Sequence, residues 1–304
     1  MKYGFGVDVG GTTVKLGLLS EAGELLEKWE LPSRTENGGE NILPDIARSV
    51  QDCMARRGLS RDDCLGLGIG VPGPVDASGM VNRCVNLNWG VFNLHDALGI
   101  LTGLRVRAGN DANCAALGEF WMGGGSGCRS AIFVTLGTGI GGGLVIDGKV
   151  VHGLVHPEMG HMLLAPQEGD SMPDGVCPYH RHCLEGLASG PAIEKRWGLS
   201  AKLMTEDHPA WELEATYLAQ MCVNMIVTVS PEVIVLGGGV MQQMHLFPQI
   251  RERVLKLLGG YVSSPSITPE GIDSYIVPPA LGVNSGVIGA LLLGAQALEK
   301  EGER

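Results

Sequence analysis

The sequence predicts an α/β protein of two domains with mixed sheets, on three observations. The chain has 304 residues, and a domain commonly takes roughly 100–200. Apolar strand-like runs and helix-like stretches intermix from the start, while the first strands read as antiparallel hairpin partners. The second half then repeats the grammar of the first: a strand, a Gly/Thr turn and a returning strand. The repeat is one of plan, not of sequence.

The opening strand is Tyr3–Val9, running into Asp8-Val9-Gly10-Gly11-Thr12-Thr13. Val14–Leu19 returns at once, and the turn Glu21-Ala22-Gly23-Glu24 leads to a third strand. Residues 40–57 place Ile42, Ile46, Val50 and Met54 at helical spacing. Pro44 is compatible only with the first turn of that helix. Cys64–Val71 reads as a buried strand ending at Pro72-Gly73-Pro74. Asn110-Asp111-Ala112-Asn113 follows an apolar segment and precedes a helix-like run, Cys114–Met122. In the second half, Ser130–Leu136 ends at Gly137-Thr138-Gly139, Gly143–Ile146 returns, and an Asp147-Gly148 turn leads to Lys149–His152. A helix at about 211–229 precedes the strand Val233–Leu236 and Gly237-Gly238-Gly239, after which a further helix is expected. Residues 165–183 are the least regular and read as an insertion.

Composition narrows the partners. There are 22 basic and 33 acidic residues, a formal charge of −11, which argues against nucleic acid. Hydrophobic residues make up 44% and charged ones 18%, enough apolar material for a packed core. The 47 glycines are about twice the usual roughly 7%. They follow no Gly-X-Y period, which excludes collagen, and are expected in tight turns of the phosphate-binding kind. The most apolar segments, around 222–240 and 280–297, are interrupted by Asn224, Pro231, Glu232, Asn284 and Gln296, so no membrane span is expected. The beginning of the chain does not read as an export signal. Eight cysteines are too sparse for a disulfide scaffold, so free thiols in a reducing cytoplasm are expected.

Four glycine- or acid-bearing segments carry chemistry. In Asp8–Thr13 the glycines let backbone amides approach an anion, Thr12 adds a hydroxyl, and Asp8 can hold Mg²⁺ directly or through water. A plain hairpin turn would use the same residues. Thr135–Gly143 contains G-x-G-x-x-G at Gly137, Gly139 and Gly142. A dinucleotide site needs a helix next, but a strand follows, so a second phosphate-cradling hairpin is expected instead. Gly237–Gly239 would let a flat ligand lie on the backbone. In Asn110–Asn113 one reading is a helix cap. The other is a carboxylate at a strand end that accepts a hydroxyl proton in phosphoryl transfer.

His161, Cys177, His180 and Cys183 form a His₂Cys₂ set at short spacing, which suits a closed tetrahedral zinc site. His182 is an alternative ligand and His156 a more remote one. Four protein ligands would make the zinc structural. The cysteines at 53, 64, 84, 114, 128 and 222 are scattered and read as inert.

Taken in order, these segments resemble the ROK family of bacterial sugar kinases, in the actin/hexokinase-like superfamily with its ribonuclease H-like domains. The likeness runs through the Asp8–Thr13 turn, Gly70-Val71-Pro72-Gly73, Asn110-Asp111, Thr135–Gly143, Glu158…His161, the cysteine loop, Glu185…Ser189-Gly190 and Leu236–Gly239. The resemblance implies two α/β domains with ATP and sugar in the cleft between them. The expected bounds are 1–118, with a helix at about 285–300 packing back on it, and 119–284 with the zinc loop. It makes Asp111 the base, and it implies that Asn110, Glu158, His161 and Glu185 bind sugar hydroxyls, with Gly73 and Asn88 in the loop beside them. It places ATP against Asp8, Gly10, Gly11 and Thr12, against Thr135, Gly137, Thr138 and Gly139, and against Gly237, Gly238 and Gly239.

Residues 1 to about 150 look like ROK glucokinases, whereas His156–His161 and Cys177–Gly190 look like ROK fructokinases, so the chain reads as a mosaic. Where the glucokinase pattern has three cysteines and one histidine on zinc, His180 stands in for one cysteine. The expected activity is ATP- and Mg²⁺-dependent phosphorylation of a hexose at the 6-hydroxyl. Glucose is expected to be best and mannose and fructose poorer, in a homodimer without membrane or nucleic-acid partners. A fructokinase is the alternative. A sugar-responsive regulator of the same family would need an added helix-turn-helix segment of roughly 60–80 residues to bind DNA.

Overall fold

Three antiparallel strands open the chain: β1 (Tyr3–Val9), β2 (Thr13–Ser20) and β3 (Leu25–Pro32). The computed structural model describes residues 2–302 and the side chains of residues 2–295. After β3 comes α1 (Ile42–Arg57), with Pro44 in its first turn and Gly58 in the left-handed conformation at its end. β4 (Cys64–Val71) then lies parallel to β1. A small hairpin, β5 (Met80–Cys84) and β6 (Trp89–Asn93), precedes α2 (Leu94–Thr102) and β7 (Val106–Asn110), which lies parallel to β4. The sheet order is β3-β2-β1-β4-β7. Its core is built from residues such as Phe5, Leu16, Ile46 and Ile69, all fully buried.

α3 (Asp111–Met122) leads out of this unit, which takes in residues up to Gly118, the stretch His152–His156 and the chain from Val283 onward. The second unit spans Glu119–Val151 and Pro157–Gly282. It holds β8 (Ser130–Leu136), β9 (Ile140–Ile146) and β10 (Lys149–Val150), then α4 (Leu184–Ala188), α5 (Gly190–Trp197) and α6 (Ala210–Val229). β11 (Val233–Gly237), α7 (Leu246–Leu258), α8 (Ile272–Tyr275) and β12 (Ile276–Val277) follow. The order β10-β9-β8-β11-β12 repeats that of the first sheet, antiparallel through the first three strands and parallel through the last three. Ile132, Leu218, Leu236 and Ile250 are among its core.

Two expectations need correction. β10 stops at Val150 rather than His152, because the chain joins the first unit at His152. The helix expected after Gly239 is a single 3₁₀ turn, Val240–Gln242, and α7 begins only at Leu246. Adjacent glycines are poor helix initiators, and Gly238 leaves the strand at φ 90°.

The last helix, α9 (Ser285–Gly302), packs on β1, β4 and β7. The sheet is cleared for it. A methyl group at Gly4 would overlap Leu291, one at Gly6 the Val287 carbonyl, and one at Gly68 the Ala290 carbonyl. One at Gly109 would lie 2.7 Å from Leu293 Cδ2. Many glycines therefore serve helix-on-sheet contact rather than the turns foreseen for them. Among the described residues no helix is long and apolar enough to cross a membrane.

Candidate active site and metal centre

In the first unit, β7 ends at Asn110 and α3 begins at Asp111. Asn110 is buried, and its Oδ1 accepts the Asn113 amide at 3.2 Å, so it does cap the helix. Asp111 Oδ1 accepts the Ala112 amide at 2.8 Å. A helix start ordinarily favours a carboxylate, but burial outweighs it here. Burial, reinforced by the negative Asp8, pushes Asp111 up to about 7, against the opposing Ala112 amide and His156. A carboxylate that titrates near neutrality is matched to general-base work.

Asp8 lies near the end of β1, opposite Lys15 across the hairpin. Burial raises its pKa, while Lys15 and Lys28 pull the other way. Both acids are half-buried, the charge of Asp8 disfavours that of Asp111, and either carboxylate could hold a hard divalent cation such as Mg²⁺.

Sequence reasoning missed two neighbours of this pair. Gly286 sits in the first turn of α9, where a methyl group would come within 2.6 Å of Asp8 Oδ2. A glycine at that helix start, in Asn284-Ser285-Gly286, was the available clue. His156, foreseen only as a remote metal ligand, is buried in the first unit and favours the charged form of Asp111.

The β1–β2 turn is braced from inside. The Gly10 amide donates to the Thr13 carbonyl at 2.9 Å, the Ser33 hydroxyl donates to the Gly10 carbonyl at 2.6 Å, and the Ser33 amide donates to the Thr12 carbonyl at 2.9 Å. Gly10 thus keeps its amide for the turn, and Gly11 and Thr12 stand exposed at the tip. Gly73 makes room for Cys84, whose Sγ would lie 3.1 Å from an added methyl. Asn88 is exposed at φ 56°, and its Nδ2 donates to the Thr35 carbonyl at 2.9 Å.

In the second unit the β8–β9 turn is braced in the same manner. The Gly137 amide donates to the Gly139 carbonyl at 2.9 Å, and the Gly190 amide, at the start of α5, donates to the Gly137 carbonyl at 2.8 Å. Glu185 Oε2 accepts the Ile140 amide at 2.9 Å. Thr138 and Gly139 remain exposed at the tip, and Thr135 is half-buried in β8. Gly142, the third glycine of the motif, serves packing instead: a methyl there would meet Met159 Sδ at 2.6 Å. Gly237 is likewise enclosed, by Pro279 and Phe133, whereas Gly239 has open space around it. Glu158 is exposed, and its carbonyl accepts the His161 amide at 3.0 Å.

The sulfur and nitrogen atoms of His161, Cys177, His180 and Cys183 all lie within 4.8 Å of one another. Cys177 Sγ is 3.9 Å from His161 Nδ1 and 3.7 Å from His180 Nδ1, and Cys183 Sγ is 3.8 Å from His161 Nδ1. Zn–S and Zn–N bonds of about 2.3 and 2.0–2.1 Å at tetrahedral angles separate S and N ligands by about 3.6 Å, so the donor set fits zinc. Burial and the neighbouring Cys177 push the Cys183 thiol up to about 11, a shift that a bound dication would reverse. His182 is not in the group. It sits at φ 58° with Nδ1 2.6 Å from the Pro173 carbonyl and Nε2 3.7 Å from Asp174. Cys183 also caps α4, its Sγ accepting the Gly186 amide at 3.4 Å. The loop that carries this donor set therefore runs directly into Glu185 and through it to the β8–β9 turn.

The sequence profile of the ROK family matches residues 4–297. The chain belongs to the ROK family. It is 34% identical to a fructokinase of Pediococcus pentosaceus over 96% of this chain and 98% of that relative. It is 35% identical to a glucokinase of Halalkalibacterium halodurans over 77% of this chain and 79% of that one. Among solved structures, the ROK chain is similar to a ROK family glucokinase from Streptomyces griseus in complex with glucose and AMPPNP. The TM-score is 0.77 at 25% identity, covering 97% of this chain and 99% of that one. The fold is thus the actin/hexokinase-like α/β fold of the ROK sugar kinases. The fructokinase match runs through nearly the whole ROK chain, including the part whose motifs resemble glucokinases.

Proposed function

We propose that the chain is an ATP-dependent hexose kinase acting at the 6-hydroxyl, with glucose as its best acceptor. The observation that carries this is Asp111, a half-buried carboxyl at the end of β7 that burial and Asp8 bring to about 7. The hexose O6 attacks the γ-phosphorus while its proton passes to Asp111. The O6–P bond forms, the bond from phosphorus to the β–γ bridging oxygen breaks, and ADP leaves with that electron pair. Asp8 would hold Mg²⁺, which when bound neutralises phosphate charge. The exposed tips at Gly11-Thr12 and Thr138-Gly139 offer amides to the phosphates, and Gly238-Gly239 offer backbone to adenosine.

The sugar would be held by Asn110, Glu158, Glu185 and His161, of which Asn110 and Glu185 also bond backbone amides. Gly73 and Asn88 shape the adjoining loop. Zinc on His161, Cys177, His180 and Cys183 would be structural, fixing His161 and Glu185. A homodimer in a reducing cytoplasm completes the reading.

Fructose as the main acceptor is the second reading, favoured by the near full-length fructokinase match. One kinetic panel tests both: kcat/KM for glucose, mannose, fructose and the N-acetylated hexosamines with ATP. A glucose value above the rest supports the first reading and a fructose value above glucose the second. Absence of sugar-dependent ADP formation with any of them overturns both.

A further inference from the structure

β7 is the last strand of the first sheet, paired with β4 on one side only. Amides on its open edge need partners from elsewhere. One partner is a histidine: the Ala108 amide donates to His95 Nε2 at 2.9 Å. His95 is the second residue of α2, whose cap Asn93 accepts the Asp96 amide at 3.0 Å. The ring is confined from behind. Gly79, at φ 86°, lies so close that a methyl group there would overlap the imidazole, and the Gly79 carbonyl accepts the Leu94 amide at 2.8 Å. A nitrogen that accepts a backbone N–H must keep its lone pair, so the ring is neutral with its proton on Nδ1.

We propose that His95 is a positioning residue, whose neutral ring ties down the open edge of β7 at Ala108 and so sets the strand end that presents Asn110 and Asp111. The proposal rests on Asp111 being the base. Three charged groups face the ring: Arg107 on β7, Asp96 on α2 and Asp76 on the β4–β5 connection. Burial and Arg107 outweigh the two acids and hold the ring below its ordinary range. A histidine lowered in this way contributes stability above its unfolded pKa of about 6.5, and that contribution is lost as pH falls through the folded value. Protonation would set an N–H against the Ala108 N–H and release the edge, three residues before the base.

The test compares wild type with His95→Gln, whose amide oxygen accepts but does not titrate, and with His95→Leu, which cannot accept. The first readout is amide exchange over β7 at pH 5.5 and 7.5, corrected for intrinsic rates. The second is kcat against pH with glucose and ATP. In wild type, β7 exchange should rise in acid. The slope of log kcat, near one below the Asp111 midpoint, should steepen toward two at lower pH, where His95 also takes a proton. His95→Gln should keep kcat at pH 7.5 within about threefold, remove the steepening and remove the acid-induced exchange. His95→Leu should raise exchange at both pH values and lower kcat about tenfold with KM for ATP little changed.

Unchanged β7 exchange in His95→Leu, or wild-type steepening in His95→Gln, overturns the proposal. Asp111→Asn with near-normal turnover would overturn the base assignment instead, while β7 exchange would still decide whether His95 holds the strand.

Discussion

The two five-stranded sheets are laid out alike, and each places a glycine turn between its first two strands in chain order. In both turns the leading glycine gives its amide to the turn, Gly10 to Thr13 and Gly137 to Gly139. The braces differ. The first turn is held by the Ser33 hydroxyl, the second by the Glu185 carboxylate and the start of α5. The first unit keeps its buried carboxyls, Asp8 and Asp111, at strand ends. The second gathers two histidines and two cysteines, spaced as metal ligands would be, in a loop that runs on to Glu185. On the proposed reading one plan would serve two tasks: proton transfer where acids are desolvated, and positioning where a carboxylate is tied to backbone.

The sharpest break of this contrast is Asp111→Asn. It keeps the shape and the bond from Ala112 but removes the base, so kcat should fall about 10²–10⁴-fold. Stability should move the other way. A carboxyl raised in the folded state binds its proton more tightly there, so folding loses stability as pH rises from about 3.8 to 7. The amide avoids that loss, and its melting temperature at pH 7.5 should equal or exceed that of wild type. Turnover above a third of normal would end the assignment. The same midpoint predicts that wild-type kcat/KM falls about tenfold per pH unit just below 7, before His95 adds its own loss.

The metal loop gives the next largest effect. Purified protein should contain about one zinc per chain, and Cys177→Ser or strong chelation should remove it and speed amide exchange across residues 165–183. Active protein free of zinc by elemental analysis would contradict the structural role. Glu185→Ala should then cost about 5- to 150-fold in kcat/KM for the sugar, the cost of leaving buried polar groups unpaired. An effect confined to KM for ATP would mean that Glu185 only braces the turn. Ser33→Ala should be mildest, about 1 kcal/mol or roughly fivefold in KM for ATP, from one lost hydrogen bond. A loss as large as that of Glu185→Ala would erase the distinction between the braces.

Strand positions were readable because apolar runs bounded by turn residues leave little choice. Cys64–Val71 and Ser130–Leu136 were delimited to the residue. That His161, Cys177, His180 and Cys183 would come together was readable because two cysteines and two histidines fall within 23 residues, at short spacing. Glycine was harder, since its spacing does not say whether an anion, a side chain or another backbone will fill the missing Cβ. Gly142 and Gly237 stand in motifs that look like nucleotide loops, yet packing explains them. The contacts of His95, His156 and Gly286 were not legible because they are made with partners distant in sequence. His182 misled for the converse reason: it lies next to Cys183 in the chain but turns to Asp174 through a left-handed backbone.

The glycine-cleared face under α9 has a consequence for the order of assembly. The first sheet is encoded within the first 110 residues, but the helix that covers it begins at Ser285. During synthesis that face emerges early, with glycines in place of the side chains that would otherwise pack on one another. It must then wait for the whole second unit to be made. Chains fold domain by domain as they emerge, and contacts between distant segments form slowly. The unit made first is therefore the last to be completed. A chain arrested before residue 285 should display a finished second unit beside a first sheet that remains open to chaperones and proteases.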